Sequence, residues 1–314
     1  MKDSILEIIA KAYDGDVDAQ IELGDRYSDG DELDVNLEEA FFWYSKASKT
    51  DNPIALSRLG YCYFYGEDVD SDNDQAFLLF QKSHDQENDV GTYYVALCYL
   101  EGYGVHKDLA KAEELFAILA EKKDEDAMYQ LGCIYLSKES DQYSRKSFRL
   151  FLESAKEGQV SAMCELGLCY LHGHGTDVDE KKALEWLTKS AQEDCESAQW
   201  ELGDCYYWGT ETIEIDYEMA FKWYQASALQ GNNYAKCCLA DCYYFGEGVV
   251  EDEDKAMELY NACANENYAH AMYRLGVVEM EKETPDMEIA QGWFKLASDL
   301  GDEDAIEELR KLSD

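Results

Sequence analysis

The fold is decided by a short motif whose clearest copy, at residues 198–209, reads AQWELGDCYYWG. Its alanine, leucine, glycine and first tyrosine are spaced i, i+4, i+5 and i+8, so they share one face of a helix with about 3.6 residues per turn. Gly209 follows that tyrosine by three residues and is typical of a helix C-terminus. The stretch therefore predicts one amphipathic helix, called helix A below.

The same pattern recurs at intervals of 35 to 37 residues along the chain. The small residues that open its eight copies are Ala19, Ala55, Gly91, Ala127, Ala162, Ala198, Ala235 and Ala271. Self-similarity with a period of roughly 20 to 50 residues is typical of repeat proteins, in which each unit buries its apolar face against its neighbours. We therefore expect eight repeats over residues 16–301.

A second helix, B, follows in each repeat and is marked by a small residue with two bulky residues three and four positions later, as in Ala220 with Trp223 and Tyr224. A short acceptor four residues before the small residue predicts an N-cap, which satisfies free N–H groups of the first helical turn. These acceptors are Asn36, Asp72, Asp108, Asp179, Asp216, Asp252 and Asp286. Tyr143 breaks the series in the fourth repeat, where residues 136–140 also replace the glycine turn, so a different loop is expected there.

The composition indicates a folded, all-helical and strongly acidic chain. It has 46% hydrophobic residues, two prolines and a formal net charge of −41. Such a negative field opposes direct binding to nucleic acid or anionic membranes and favours a basic partner, unless it serves only solubility. The chain lacks an apolar run long enough for a signal peptide or a membrane span. We expect a soluble, cytoplasmic protein.

Cysteine usage agrees with that compartment. The chain has eleven cysteines, an odd number, and five of them occupy one repeat position just before the tyrosine of helix A. Free cysteine is among the most buried residue types, and disulfides are rare in reducing compartments. We therefore predict reduced, buried thiols at Cys62, Cys98, Cys169, Cys205 and Cys242.

Together, these motifs resemble the Sel-one-like repeat family, a relative of the tetratricopeptide repeat with a longer A-to-B connection. The likeness covers residues 16–301 and is most complete over residues 198–227. It implies an all-α, right-handed superhelical solenoid of about eight helix-turn-helix repeats, forming one domain over residues 1–314. Capping helices are expected at residues 1–15 and 302–314. The family further implies a concave surface lined by A helices, and a non-catalytic scaffold or adaptor role.

A partner surface follows if helix A packs as in tetratricopeptide repeats. Residues two positions before the leucine, and two, five and six after it, should then face the groove. Tyrosine and tryptophan are common interface anchors, and aspartate complements a basic peptide. The predicted partner-binding residues are Tyr61, Phe64, Tyr65, Tyr93, Tyr129, Trp200, Asp204, Tyr207, Trp208, Asp241, Tyr244, Phe245 and Tyr273, with Asp18, Asp25, Asp29 and Asp126 among them. The alternative for any single ring is that it only packs between adjacent A helices.

A second candidate surface is the basic cluster of the atypical fourth repeat. Against so acidic a background it could attract an acidic partner or the acidic face of another molecule. Its members are Lys138, Arg145, Lys146, Arg149 and Lys156. The alternative is a solvated helix surface balanced by Glu139, Asp141 and Glu153.

Signals for chemistry are weak. The segment 172–174, His-Gly-His, lies near Cys164 and Cys169, but the two cysteines face different sides of their helix. Residues 70–74 begin like a calcium loop without its required glycine and glutamate. No phosphate-binding loop, dinucleotide fingerprint or nucleophile elbow occurs. We predict no catalysis, metal or cofactor. The alternative is a small-molecule-binding or hydrolytic solenoid that holds a cation in an aromatic, acidic groove pocket.

Overall fold

The computed structural model describes residues 4–138 and 140–313, which divide between two compact units, Met1–Glu139 and Ser140–Asp314. The regular structure of the described residues is entirely helical, with eighteen α-helices and a 3-10 turn at Ser48–Thr50. This confirms the predicted all-α fold. That the two units form one continuous solenoid stays a prediction.

The first unit contains eight of the helices. In chain order they are α1 (Ile5–Asp14), α2 (Val17–Asp29), α3 (Leu37–Ala47), α4 (Pro53–Tyr65), α5 (Asn73–His84), α6 (Asp89–Glu101), α7 (Leu109–Glu121) and α8 (Glu125–Leu136). Helices α2, α4, α6 and α8 are A helices, and α3, α5 and α7 are B helices. Helix α1 precedes the first repeat and buries Ile8 and Ala12. Asp3, which the sequence places in this helix, lies outside the described residues.

The second unit contains the other ten helices. They are α9 (Asp141–Glu157), α10 (Val160–His172), α11 (Glu180–Gln192), α12 (Glu196–Trp208), α13 (Tyr217–Leu229), α14 (Asn233–Phe245), α15 (Glu253–Asn265), α16 (Ala269–Glu281), α17 (Met287–Asp299) and α18 (Glu303–Ser313). Helices α10, α12, α14 and α16 are A helices, and α9, α11, α13, α15 and α17 are B helices. Helix α18 follows the last repeat and buries Ala305.

The leucine-glycine pair of the motif sets how closely helices A and B pack. A Cβ atom added to Gly203 would lie 2.4 Å from the ring of Tyr224, the second bulky residue of helix B in the same repeat. The equivalent helix B residue is buried in all eight repeats: Tyr44, Phe80, Phe116, Phe151, Leu187, Tyr224, Tyr260 and Phe294. The glycine therefore makes room for the central core side chain of its own repeat.

The helix starts follow the predicted caps. All seven predicted acceptors take a hydrogen bond from a backbone N–H in the first turn of their B helix. Asp216, for example, accepts from the Met219 N–H at 3.0 Å. In the fourth repeat the cap is Ser140 instead, so α9 begins about one turn early and runs for 17 residues. Tyr143 offers no short acceptor, and the nearest suitable side chain upstream takes its place.

In some repeats a second glycine of the A-to-B connection packs closely against the backbone of the preceding repeat. Gly248 has a φ of +73°, and a Cβ atom there would lie 2.0 Å from the carbonyl oxygen of Tyr217, the first residue of α13. Gly104 and Gly175 make the same close approach to Asn73 and Ser144. Only glycine allows both the left-handed conformation and this distance.

Two other predictions concern burial and membranes. The five motif cysteines are all buried, and no disulfide joins any two of the eleven cysteines, all of which lie among the described residues. The reducing compartment inferred from them stays a prediction. In the described part of the chain, none of the helices has the length and apolar character needed to cross a bilayer.

Candidate functional site

The predicted groove residues fall into one group in each unit. Those of the first unit lie on α2, α4, α6 and α8, and those of the second unit on α12, α14 and α16. The most exposed of the predicted rings is Trp208 of the second unit, at 71%, followed by Tyr65 of the first unit at 54% and Phe245 of the second at 50%. The second unit therefore holds the stronger candidate surface.

In the first unit, the predicted rings pack largely against one another. The Tyr61 ring lies 4.4 Å from that of Tyr65, and both Tyr61 and Phe64 contact Tyr94 of α6, at 5.9 and 5.8 Å between centroids. Tyr93 packs 5.6 Å from Phe116. Tyr129 lies partly buried on α8. For Phe64 and Tyr93, packing between helices, the alternative interpretation, describes the structure better than an open groove.

Three of the predicted aspartates have a structural partner. The Tyr44 hydroxyl donates to Asp25 at 2.7 Å, the Tyr224 hydroxyl to Asp204 at 2.6 Å, and the Tyr260 hydroxyl to Asp241 at 2.5 Å. A buried hydroxyl without an acceptor is costly, so each carboxylate satisfies the core tyrosine of its own repeat. The other five repeats have phenylalanine or leucine in the core and no aspartate at this position. The partner role predicted from the sequence does not include this contact.

The remaining predicted aspartates, Asp18, Asp29 and Asp126, are exposed on α2 and α8. Asp29 joins Asp25, Arg58 and Tyr61 around a pocket of about 280 Å³ in the first unit. Arg58 forms an ion pair with Asp25, with 3.0 Å between Nε and Oδ1. This arrangement recurs, more buried, in the second unit.

The second unit brings five of the predicted residues together around a pocket of about 270 Å³. We call it the aromatic pocket and define it by Tyr207, Trp208, Asp241, Phe245, Tyr273 and Arg274. Its side chains come from α12, α14 and α16, which pack in sequence within the unit. Tyr244 points elsewhere, since its hydroxyl donates to Glu281 at 2.8 Å. Trp200 and Asp204 do not line this pocket either.

Arg274, which the sequence argument missed, closes the aromatic pocket. Its Nη2 lies 2.7 Å from Asp241 Oδ1, and its guanidinium carbon lies 5.4 Å from the ring centroid of Phe245. Burial lowers the pKa of the guanidinium, but the Asp241 carboxylate and Tyr260 outweigh that effect and hold the pKa above its ordinary value. The Arg274 and Asp241 charges therefore balance each other in this pocket, and the acidic groove stays a prediction.

A second cavity, of about 600 Å³, adjoins Trp200 on the same unit. We call it the acidic pocket and define it by Glu165, Glu196, Trp200, Glu201, Tyr234 and Tyr268. The Tyr234 ring lies 5.5 Å from Trp200 and 5.0 Å from Tyr268. Of these residues, the sequence predicted only Trp200.

The charges that distinguish the two pockets share one repeat position, the residue immediately before the leucine of helix A. Arg274 precedes Leu275, whereas Glu201 precedes Leu202 and Glu165 precedes Leu166. The sequence argument did not include this position. An alignment of the eight repeats would have shown it, because Arg58 and Arg274 each follow, one repeat later, an aspartate that they pair with.

The basic cluster of the fourth repeat is divided between the units. Lys138 belongs to the first unit and pairs with Glu113 at 2.5 Å. Arg145, Lys146, Arg149 and Lys156 lie on α9 in the second unit, where Lys146 Nζ lies 5.2 Å from the Tyr143 ring. Glu139, one of the expected balancing charges, lies outside the described residues. A common acidic partner for the whole cluster stays a prediction.

Metal-ligating side chains do not converge in the described chain. The rings of His172 and His174 lie 5.6 Å apart. Over residues 4–138 and 140–313, no group of three or more histidine, cysteine, aspartate or glutamate side chains could hold a metal ion.

Comparison with known proteins assigns the repeats. The family model described as Sel1 repeat matches eight segments: residues 17–51, 53–88, 90–124, 125–159, 160–195, 196–232, 234–268 and 269–302. These are the eight repeats that the spacing predicts. Among curated protein sequences, none matches this chain significantly.

Solved structures share the fold. A protective antigen of uropathogenic Escherichia coli with an SLR fold is 26% identical, with a TM-score of 0.72 over 99% of this chain and 67% of that one. A Sel1 repeat protein from Oxalobacter formigenes is 23% identical, with a TM-score of 0.63 over 98% of this chain and 90% of that one. The Cut9–Hcn1 tetramer of the APC/C contains a chain 14% identical, with a TM-score of 0.60 over 97% of this chain and 55% of that one.

Proposed function

This chain belongs to the Sel1 repeat family, and on that basis we propose that it is a non-catalytic protein-interaction scaffold. The proposed binding surface is formed by α12, α14 and α16 and centres on the aromatic pocket. The observation that carries the proposal is the pair of exposed rings, Trp208 and Phe245, at the mouth of that pocket. Large exposed aromatic side chains beside a pocket are typical of protein-binding hot spots.

The size and setting of the aromatic pocket favour a polypeptide ligand. Small-molecule sites usually enclose about 300–1,000 Å³ and bury most of their ligand. The aromatic pocket, at about 270 Å³, lies at the lower edge of that range. A row of rings also extends from it: Tyr273 lies 5.7 Å from His270, which lies 6.4 Å from Tyr268. An extended segment can follow such a row, with one side chain anchored in the pocket.

The charge of the chain supports a protein partner and a cytoplasmic location. A net charge of −41 disfavours nucleic acid and anionic lipid surfaces. Eleven cysteines outside any disulfide, most of them buried in the helical core, are suited to a reducing compartment. We therefore place the scaffold in the cytoplasm, in contact with a protein whose binding segment is basic.

The test is capture of a partner with a tagged chain, followed by identification of the partner and measurement of its affinity. The double variant Trp208→Ala/Phe245→Ala is expected to weaken binding at least about 30-fold, since hot-spot rings contribute about 2 kcal/mol or more. Because both side chains are exposed, the melting temperature should change little.

A matched control removes apolar surface elsewhere on the same unit. Leu229 and Val250 are each 84% exposed and lie outside the A helices, so Leu229→Ala/Val250→Ala should bind as the unchanged protein does. If the unchanged protein and both double variants bind the partner equally well, the proposed binding surface is wrong. If a small cationic compound raises the melting temperature and no protein is captured, the small-molecule alternative is favoured.

A further inference from the structure

We propose that the acidic pocket receives a basic side chain, lysine or arginine, of the polypeptide that occupies the neighbouring aromatic pocket. This rests on the proposed function and adds a specificity subsite to it. The pocket combines three rings, from Trp200, Tyr234 and Tyr268, with the carboxylates of Glu165, Glu196 and Glu201. Rings hold the methylene stem and attract the charge at its end, while carboxylates pair with that charge.

The carboxylates of this pocket have no cation of their own. None of Glu165, Glu196 and Glu201 forms an ion pair with a described lysine, arginine or histidine, although such pairs occur in both units. In two repeats, an aspartate on helix A is neutralised by an arginine of the next helix A, Arg58 or Arg274. Asp204 does not line this pocket but its charge acts on Glu201, and the residue that would neutralise it in the next repeat is Cys238 instead of an arginine. The missing cation is therefore expected from the partner.

Because these carboxylates are buried, the lack of an ion pair affects their ionisation. Burial raises the pKa of Glu201 to about 7, with further increases from the charges of Asp204 and Glu165. Burial likewise raises the pKa of Glu165. Carboxylates crowded in this way resist ionisation near neutral pH, and a bound ammonium or guanidinium group relieves their repulsion. The bound cation favours the ionised form of these carboxyl groups, and its attraction to them is screened less than at a solvated surface carboxylate.

Continuity of the aromatic row favours a polypeptide over a free small cation. Ring contacts run from Trp200 to Tyr234 at 5.5 Å, to Tyr268 at 5.0 Å, to His270 at 6.4 Å and to Tyr273 at 5.7 Å. Tyr273 also lines the aromatic pocket. One chain laid along this row can place an anchor in the aromatic pocket and a basic side chain in the acidic one.

The test uses a fluorescein-labelled hexalysine peptide as the probe, titrated against the full chain by fluorescence anisotropy at physiological ionic strength. Glu165→Gln/Glu201→Gln should weaken its binding about tenfold, and Tyr234→Leu about threefold. The control Glu214→Gln/Glu258→Gln makes the same two replacements at exposed positions, so it should weaken binding less than about twofold. The glutamine pair in the pocket should not lower the melting temperature, because burial already disfavours the charges.

Equal weakening by the two glutamine pairs would overturn the proposal, because the probe would then sense only the general field. Competition by free lysine amide as effective as competition by unlabelled hexalysine would overturn it as well, in favour of a small cation. Failure of this subsite is separable from failure of the scaffold function. If the captured partner loses affinity with Trp208→Ala/Phe245→Ala but not with Glu165→Gln/Glu201→Gln, the scaffold function stands and the subsite assignment is wrong.

Discussion

Replacing Asp241 with alanine is expected to lower the free energy of unfolding by about 3 kcal/mol, because it leaves a buried charge and a buried hydroxyl without their partner. Asp241 accepts from the Tyr260 hydroxyl and pairs with Arg274, whose side chain is only 13% exposed. Urea unfolding followed by circular dichroism measures the loss. Water cannot fully hydrate the guanidinium of Arg274 at this buried position. The loss of its partner should therefore appear almost entirely as a lower free energy of unfolding.

The first unit offers the matched control. Asp25 accepts from the Tyr44 hydroxyl and pairs with Arg58, which is 46% exposed. Asp25→Ala should therefore cost only about 1 kcal/mol, since water can replace the carboxylate around an exposed guanidinium. Equal losses for Asp25→Ala and Asp241→Ala would show that burial of the arginine does not set the cost.

Replacing Gly248 with alanine is expected to lower stability by about 3 kcal/mol, combining overpacking with a left-handed backbone that disfavours a side chain. The added methyl group would lie 2.0 Å from the carbonyl oxygen of Tyr217, and backbone cannot move aside as a side chain can. Thermal unfolding measures this loss of stability, which should be confined to the second unit, where Gly248 lies. The A-to-B connection would have to lift away from α13.

Gly292 is the control for this substitution. It lies within α17, and a Cβ atom there would meet nothing within 4 Å. Gly292→Ala should stabilise the protein by up to about 1 kcal/mol, because alanine has the higher helix propensity. If Gly248→Ala were as well tolerated as Gly292→Ala, the close approach of the loop to α13 would be disproved.

Much of the fold could be predicted from sequence because repetition multiplies weak signals. A single leucine-glycine pair or one aspartate cap says little, but eight repeats, six with the pair and six with the aspartate cap, fix the register of both helices. Prediction failed where the sequence of one repeat departs from the shared pattern. The early start of α9 depends on Ser140, and only the missing cap at Tyr143 hinted at it.

The candidate site was less predictable because it depends on contacts between repeats. An assumed set of groove positions found Trp208 and Phe245 but omitted the residue before the leucine, where Arg274 and Glu201 lie. It also assigned Asp204 and Asp241 to a partner, although each one first satisfies a buried tyrosine. That pairing was readable, since the aspartate and the core tyrosine occur together in three repeats.

The contrast between the two pockets gives the surface its expected selectivity. In the aromatic pocket, Arg274 and Asp241 neutralise each other, which leaves the rings as the main source of affinity. In the acidic pocket the carboxylates form no ion pair with a lysine, arginine or histidine among the described residues, so charge is expected to contribute there. A suitable partner segment would carry an apolar or aromatic anchor and a basic side chain spaced along one extended strand.

Hydrogen–deuterium exchange of the chain with and without its captured partner tests the central claim most directly. We predict slower exchange at residues 200–208 of α12, 234–245 of α14 and 268–274 at the start of α16, with the B helices α13 and α15 unchanged. Slower exchange confined to α13, α15 or α17 would place the partner on the opposite set of helices and contradict the account.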